Sequence, residues 1–346
     1  MINERIDLYS EGEYTYKAAY GFVPNIRTYI HDDQKDRMSI LVVPGGAYCM
    51  VVPPEAEIVA KEFYDMGLDA FVLTYTTDIT TAVPLKKQPL NDISRAVRVI
   101  RKYLSGQKYT NSDKLFICGF SAGGHLCASL ATHYYELEDQ NPEYSQFSNR
   151  PDGAILCYPV ISFRKYVESF SKLTLLGPAP SEEEVDFFSL EKAVNEKTVP
   201  CFLWHTATDG LVPVENSYMF AEALKKYNIP YAQHIFSHGD HGLSCASRNF
   251  FEGIFGEEYT FEQLNNAVAA VKSGTAIDIT PQRCEELKIQ FKDPTTQDAS
   301  ENSEETDGST QDADNSREQI RPQVDPEDFA DVRCWLNLAY CWMKQV

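Results

Sequence analysis

A serine between two glycines is the residue of this chain best placed to act as a nucleophile. Ser121 lies in the stretch GFSAG, residues 119–123, which fits the G-x-S-x-G pattern of a nucleophile elbow. The apolar run 115–118 precedes it, and a helical pattern follows as far as His133. Glycine on both sides of the serine lets neighbouring backbone pass close to so sharp a turn. The stretch therefore predicts a buried strand, a turn that exposes the serine hydroxyl, and a helix.

An acidic residue and a histidine follow later in the chain, each just beyond an apolar segment that predicts a strand. They are Asp209 and His241. A carboxylate at such a position can accept the proton on the far nitrogen of an imidazole, and the imidazole can then take the proton of the serine. We therefore predict a catalytic triad with Ser121 as nucleophile, Asp209 as acid and His241 as general base. His238 is the alternative base.

Paired glycines after an earlier strand could supply backbone donors to a developing oxyanion. The apolar segment 38–43 ends in PGGAY, residues 44–48, and its glycines free the backbone to turn amides toward a ligand. In proteins with a G-x-S-x-G elbow, one donor comes from this loop and another from the residue after the nucleophile. Gly46, Ala47 and Ala122 are the predicted oxyanion-hole donors.

Two other histidine-containing features suggest alternative chemistry. The stretch HGDH, residues 238–241, resembles half of an H-x-H-x-D-H metal site, but Phe236 stands where the first histidine should be. No second cluster of ligands appears in the sequence. His125 lies one turn into the helix after the elbow, where its side chain should point into the packing beneath the nucleophile. We predict a structural role for His125, no metal and no cofactor.

Strand and helix patterns alternate along the chain around these residues. The alternation predicts an α/β fold with a doubly wound, mostly parallel sheet and helices on both faces. Alternating segments near the start, such as 26–30, predict antiparallel strands there. The stretch 163–199 is too short for a large lid domain. The other strand patterns are 38–43, 69–76, 115–118, 153–160, 201–207 and 231–237, and the clearest helical patterns before the elbow are 55–66 and 91–104.

Composition narrows the class of protein. The chain has 346 residues, is 43% hydrophobic and carries a net charge of −20, so it can bury one large core and would repel a phosphate backbone. The polar amino terminus lacks the apolar core of a signal peptide, and no run of 18 apolar residues occurs. We predict a soluble, cytoplasmic protein with no nucleic-acid or membrane partner. Nine scattered cysteines without a C-x-x-C pair predict neither a disulfide framework nor a zinc site.

The composition changes from about residue 273 onward. Thirteen acidic residues and two arginines lie from Asp293 to Asp331, and almost no apolar residues occur between Pro294 and Gln319. Such a segment cannot offset the entropy lost on folding. We therefore predict a core at 1–272, an acidic, largely disordered insert at 273–324, and a C-terminal helix at 325–346. Aromatic residues at helical spacing should return this last helix to the same core.

The motifs GFSAGGH, PGGAY, DGLVP and HG together resemble one branch of the α/β-hydrolase superfamily. It is the bacterial acetyl esterase and xylan-esterase-like branch, near the feruloyl-esterase and hormone-sensitive-lipase-like groups. The match covers about residues 35–245 and the last helix. The resemblance implies the α/β-hydrolase fold and a triad of Ser121, Asp209 and His241. The chain departs from the family in having PGGAY where many relatives have HGGG, and in the acidic insert.

The motifs indicate acyl transfer through a covalent acyl-enzyme. The resemblance implies a serine carboxylesterase that acts on a small-molecule ester, with acetyl groups on a carbohydrate as the expected substrate. A serine peptidase of the prolyl-oligopeptidase type shares the order of the triad, but such enzymes add a propeller domain and no blade-like repeat is visible here. A catalytically silent hydrolase fold used for binding would not explain why the triad residues and the glycines are all present.

Overall fold

The computed structural model describes residues 1–33, 35–106, 114–292 and 325–346. A single eight-stranded sheet runs through the molecule. Apolar, β-branched and aromatic residues fill its central strands, as expected for strands that are buried on both faces. The strands are β1 (Arg5–Asp7), β2 (Asn25–Tyr29), β3 (Ser39–Val43), β4 (Asp69–Thr74), β5 (Leu115–Phe120), β6 (Gly153–Cys157), β7 (Cys201–Thr206) and β8 (Tyr231–Phe236).

The order of the strands across the sheet is β1-β2-β4-β3-β5-β6-β7-β8. β2 is antiparallel to both β1 and β4, and every other neighbouring pair is parallel. The predicted doubly wound, mostly parallel sheet with an antiparallel start is confirmed. Because parallel strands end at the same edge, the loops that follow β3, β5, β7 and β8 meet there, where α/β proteins place their sites.

Helices connect the strands and cover both faces of the sheet. Short 3-10 turns cover Lys17–Ala19, Pro53–Glu55, Tyr134–Glu136, Tyr259–Phe261 and Pro326–Phe329. No helix of the described ranges is both long and apolar enough to cross a membrane. The α-helices are α1 (Glu57–Asp65), α2 (Gln88–Gly106), α3 (Ala122–His133), α4 (Pro142–Ser145), α5 (Ser169–Leu176), α6 (Glu182–Phe187), α7 (Leu190–Ala193), α8 (Glu215–Lys226), α9 (Arg248–Phe251), α10 (Glu262–Ser273), α11 (Pro281–Gln290), α12 (Ala330–Arg333) and α13 (Trp335–Met343).

Two apolar layers lie on opposite faces of the sheet. Successive residues of a strand point to opposite faces, so Leu41 belongs to the layer that includes residues of α2, α3 and α8, while Val42 belongs to the layer that includes residues of α1 and α13. The sheet is thus covered on both sides, and the helix that follows the elbow lies in the first of these layers. A third, smaller cluster joins α10 and α11 to the loops that follow β3 and β4.

A helix lies near the beginning of the predicted insert. Residues 281–290, which belong to the acidic, largely disordered insert predicted at 273–324, form α11. The reason is that Thr280 caps this helix and Leu287, only 1% exposed, packs into the third cluster. The rest of the predicted insert, residues 293–324, lies outside the described residues. The predicted C-terminal helix at 325–346 consists of a 3-10 turn followed by α12 and α13, which cover one face of the sheet.

Candidate active site

Ser121 stands at the sharp turn between β5 and α3. Its backbone has φ 51° and ψ −118°, a strained conformation for a residue with a side chain. The flanking glycines are required by sterics, since a Cβ on Gly119 would lie 2.2 Å from the Gly123 carbonyl oxygen. A Cβ on Gly123 would lie 2.1 Å from the carbonyl oxygen of Val43. The turn therefore packs directly against the end of β3 and holds the serine side chain at the edge of the sheet.

The structure brings Ser121, His241 and Asp209 together. His241 Nε2 lies 2.8 Å from Ser121 Oγ, and His241 Nδ1 lies 2.7 Å from Asp209 Oδ2. A carboxylate only accepts hydrogen bonds, so Nδ1 carries the proton and Nε2 is left to accept from the serine hydroxyl. The Asp209 side chain is fully buried and that of His241 is 13% exposed. The three predicted triad residues thus form one continuous hydrogen-bonded chain.

Asp209 is held as an anion by four donors. Its Oδ1 accepts the backbone N–H groups of Leu211 and Val212, each at 2.9 Å, and its Oδ2 accepts from His205 Nε2 at 3.1 Å as well as from His241. Burial alone would raise the pKa of this carboxyl, but the hydrogen bonds from His205 and His241 outweigh burial and hold the pKa well below its usual range. Asp209 is therefore charged and fixed in orientation.

His205 is a site residue that the sequence analysis missed. It is fully buried, and its Nε2 faces two acceptors, Asp209 Oδ2 and the Val212 carbonyl oxygen at 2.9 Å, so this nitrogen carries the proton. Nδ1 is 2.9 Å from Ser217 Oγ. The signal in the sequence was a histidine inside an apolar strand, four residues before the acid, because a buried polar side chain needs partners.

The loop after β3 lies against Ser121. A Cβ on Gly45 would stand 2.9 Å from Ser121 Cβ, so the two backbones approach closely. Gly46 and Ala47 have φ of 122° and 53°. Among the described residues, neither of their N–H groups finds an acceptor. The N–H of Ala122, in the first turn of α3, has no acceptor within its helix. In the described residues, the three predicted oxyanion-hole residues thus have unpaired backbone donors, either directly after Ser121 (Ala122) or directly after Gly45 (Gly46 and Ala47).

His238 and His125 lie outside the triad. His238 is exposed, contacts Ser237 Oγ at 2.9 Å and the Asp328 carbonyl oxygen at 3.2 Å, and faces the ring of Phe329. The alternative base thus turns toward the C-terminal segment. His125 is fully buried beneath the elbow. In the described parts of the chain, no group of three or more His, Cys, Asp or Glu residues could hold a metal ion.

A parallel sheet, a strained serine between β5 and α3, and the chain order Ser, Asp, His define the protein as an α/β-hydrolase. Residues 28–224, more than half of the chain, match the model of the BD-FAE family. The chain belongs to that family, within the xylan-esterase-like branch of the α/β-hydrolases that the sequence predicted.

Relatives and solved structures agree with this assignment. The chain is 53% identical over 268 residues to endo-1,4-beta-xylanase B of Butyrivibrio fibrisolvens, an alignment that covers 77% of this chain and 42% of the relative. It is 28% identical over 212 residues to an acetylxylan esterase of Xylanibacter ruminicola, an alignment that covers 59% of this chain and 41% of the relative. It thus spans about two fifths of the length of these relatives. The crystal structure of an acetyl ester-xyloside bifunctional hydrolase from Caldicellulosiruptor lactoaceticus matches with 37% identity and a TM-score of 0.66, covering 79% of this chain and 97% of that one.

Proposed function

We propose that this protein is a serine carboxylesterase that removes short acyl groups, acetyl above all, from carbohydrates. The observation that carries the proposal is the position of His241. Its ring reaches Ser121 Oγ with one nitrogen at 2.8 Å and the buried Asp209 carboxylate with the other at 2.7 Å. This arrangement suits a general base that takes a proton from a hydroxyl and is stabilised as a cation while it holds the proton.

In the proposed acylation step, Ser121 Oγ attacks the carbonyl carbon of the ester while His241 Nε2 accepts the hydroxyl proton. Negative charge develops on the former carbonyl oxygen, and the free N–H groups of Gly46, Ala47 and Ala122 are the donors proposed to stabilise it. When the bond to the alcohol oxygen breaks, His241 returns the proton to that oxygen. The products of this half-reaction are the free alcohol and an ester of Ser121.

Deacylation repeats the same proton transfers with water. His241 takes a proton from the water, the resulting hydroxide attacks the acyl carbon, and Ser121 Oγ leaves with the proton that His241 gives back. Asp209 stays ionised throughout because four donors hold it as an anion. The acid is released and the enzyme returns to its starting state.

The proposed substrate class rests on the names of similar proteins. One relative is named an acetylxylan esterase, another is named a xylanase, and a similar crystal structure is that of an acetyl ester-xyloside hydrolase. Acetylated xylo-oligosaccharides are therefore the substrates to test first. Values of kcat/KM for a panel of acetylated sugars, aryl acetates and longer acyl esters show which ester the protein prefers. An aminoacyl-proline amide in the same panel tests the peptidase alternative.

Ser121→Ala tests the nucleophile. We expect turnover of an aryl acetate to fall by about 10⁴- to 10⁶-fold, because the variant can form no acyl-enzyme. Labelling by a fluorophosphonate should disappear as well. Ser129→Ala is the matched control, because it removes a buried hydroxyl from α3, the helix that follows Ser121. That hydroxyl donates to the His125 carbonyl oxygen at 2.8 Å. Retained activity or labelling in Ser121→Ala would refute the proposed nucleophile.

A further inference from the structure

Glu55 is a buried carboxyl beside the candidate site to which the mechanism above gives no part. It ends the 3-10 turn Pro53–Glu55 before α1 and is only 4% exposed. Burial raises the pKa of its carboxyl, while hydrogen bonds from Tyr158 and Gly45 act in the opposite direction. A carboxyl in the protein interior costs stability unless its oxygens are hydrogen-bonded. The partners that it holds therefore indicate what it does.

The two oxygens of Glu55 bind two different loops of the site. Oε2 accepts the backbone N–H of Gly45 at 2.7 Å, directly before the predicted oxyanion donors. Oε1 accepts the hydroxyl of Tyr158 at 2.7 Å, and that hydroxyl in turn accepts the backbone N–H of Ser244 at 3.0 Å. Ser244 follows His241 by three residues. A single hydrogen-bonded bridge thus links the loop of the oxyanion donors to the loop of the base.

Tyr158 also contacts the triad with its ring. The ring packs edge-on against His241, with 4.9 Å between centroids. It also packs at a tilt against Phe120, the residue before the nucleophile, with 5.8 Å between centroids. A second link runs beside the bridge, because Ser244 Oγ donates to the Pro54 carbonyl oxygen at 2.6 Å. The bridge therefore contacts the loop of the oxyanion donors, the loop of the base and the residue before the nucleophile.

Strained backbone occurs within the bridge and in the loop of the oxyanion donors that it holds. Ala47, Tyr158 and Ser244 have φ of 53°, 37° and 51°, in the left-handed region that residues with side chains avoid. Such a conformation is unfavourable for a residue with a side chain and persists only where surrounding contacts fix it. Glu55 and Tyr158 supply such contacts to the loops on either side.

We propose that Glu55 and Tyr158 are a positioning pair that sets the distance between the oxyanion donors and His241. This inference rests on the function proposed above. A misplaced donor weakens binding of the transition state more than binding of the substrate. The pair therefore acts on kcat rather than on KM.

Glu55→Gln is the direct test. A glutamine amide offers one acceptor oxygen where the carboxylate offers two, so either the Gly45 N–H or the Tyr158 hydroxyl proton loses its acceptor, whichever way the amide turns. We expect kcat for an aryl acetate to fall by about 10²-fold while KM changes by less than about twofold. The affinity for a boronic acid that mimics the tetrahedral intermediate should fall by the same factor as kcat. Active-site titration with a fluorophosphonate gives the concentration of folded, reactive enzyme, and each rate is divided by that concentration.

Glu57→Gln is the matched control because Glu57 is equally buried two residues away but faces elsewhere. Its side chain pairs with Lys61 and accepts from the Tyr29 hydroxyl and the Glu257 N–H, both at 3.2 Å. Glu57→Gln should leave kcat within about threefold of wild type even if it lowers the melting temperature. An equal fall in kcat in both glutamine variants, an unchanged kcat in Glu55→Gln, or a change confined to KM would each overturn the proposal.

Tyr158→Phe provides a second route to the same conclusion if Glu55→Gln does not fold. It removes the hydroxyl that joins Glu55 to Ser244 and should lower kcat with little change in KM. In the double variant the losses should not multiply, because each change breaks the same bridge. Multiplying losses would contradict a shared role.

Failure of this inference is distinct from failure of the proposed function. If Ser121→Ala is inactive and Glu55→Gln is unimpaired, only the bridge is refuted. If Ser121→Ala is active, the proposed function itself is refuted.

Discussion

At the scale of single residues, His125 shows how the packing under Ser121 fixes a protonation state. Its Nε2 is 3.0 Å from the Phe188 carbonyl oxygen and must donate, so Nδ1, at 2.7 Å from the Tyr48 hydroxyl, accepts. Tyr48 belongs to the loop of the predicted oxyanion donors. Burial lowers the pKa of His125 to about 4. The neutral ring thus ties that loop to the helix after the elbow.

The lowered pKa of His125 predicts a dependence of stability on pH. A histidine whose folded pKa lies below its unfolded value contributes stability that is complete above the unfolded value, about 6.5, and is lost as pH falls toward the folded value. The free energy of unfolding of wild type, measured in urea, should therefore fall by about 2 kcal/mol between pH 7 and pH 4.5 through this residue alone.

His125→Gln isolates that contribution, because other titrating groups such as His133 are present in both proteins. The variant should be less stable at pH 7, and its free energy of unfolding should fall less steeply toward pH 4.5. Parallel curves for the two proteins would contradict the assignment of His125 as a neutral, buried group.

Residues that act through local chemistry could be predicted from the sequence, and residues that act through distant partners could not. Ser121, Asp209 and His241 each follow a strand, so the parallel sheet alone predicts that they meet. Glu55 carries no such signal, because its partner Tyr158 lies 103 residues further along the chain. The bridge that they form depends on tertiary packing, and no spacing in the sequence encodes it.

At the scale of elements, the C-terminal helices complete one face of the sheet and reach the loop that carries His241. Trp335 in α13 is fully buried and stacks on Trp204 with 5.4 Å between ring centroids. Its indole N–H donates to the Ser244 carbonyl oxygen at 2.9 Å. Helical spacing of aromatic residues predicts an apolar face here. The spacing does not predict the break between α12 and α13 or the 38% exposure of Leu338, because both depend on the packing.

Trp335→Ala should destabilise the protein by about 3–5 kcal/mol, the usual cost of removing a large aromatic side chain from a core. It should also lower kcat, because the loop that carries His241 loses the hydrogen bond at Ser244. Urea unfolding and steady-state kinetics measure the two effects. Leu338→Ala, on the exposed side of the same helix, should change the stability by only about 0.5 kcal/mol. Equal effects of the two substitutions would show that α13 does not pack as described.

At the scale of the whole molecule, alternation of strand and helix was enough to predict the architecture, since a parallel sheet with short connections admits few topologies. The boundary of the core was harder to predict. Charged and other polar residues dominate the segment 281–290, and Leu287, with the partly buried Cys284, anchors it in the cluster that contains Leu264 and Val271 of α10. Composition averaged over a window does not detect so few buried side chains, so it gave no sign of this helix.

The acidic segment at 294–321 lies outside the described residues, and its role stays a prediction from composition. Replacing it with a glycine- and serine-rich linker of equal length should leave the melting temperature and the esterase rate close to those of wild type. The reason is that the segment has almost no apolar residues with which to bury core surface. Leu287→Ala, just before the segment, is the contrasting variant and should cost about 2–5 kcal/mol. If the linker unfolds the protein while Leu287→Ala is tolerated, the core extends into the acidic segment and the division of the chain proposed here is reversed.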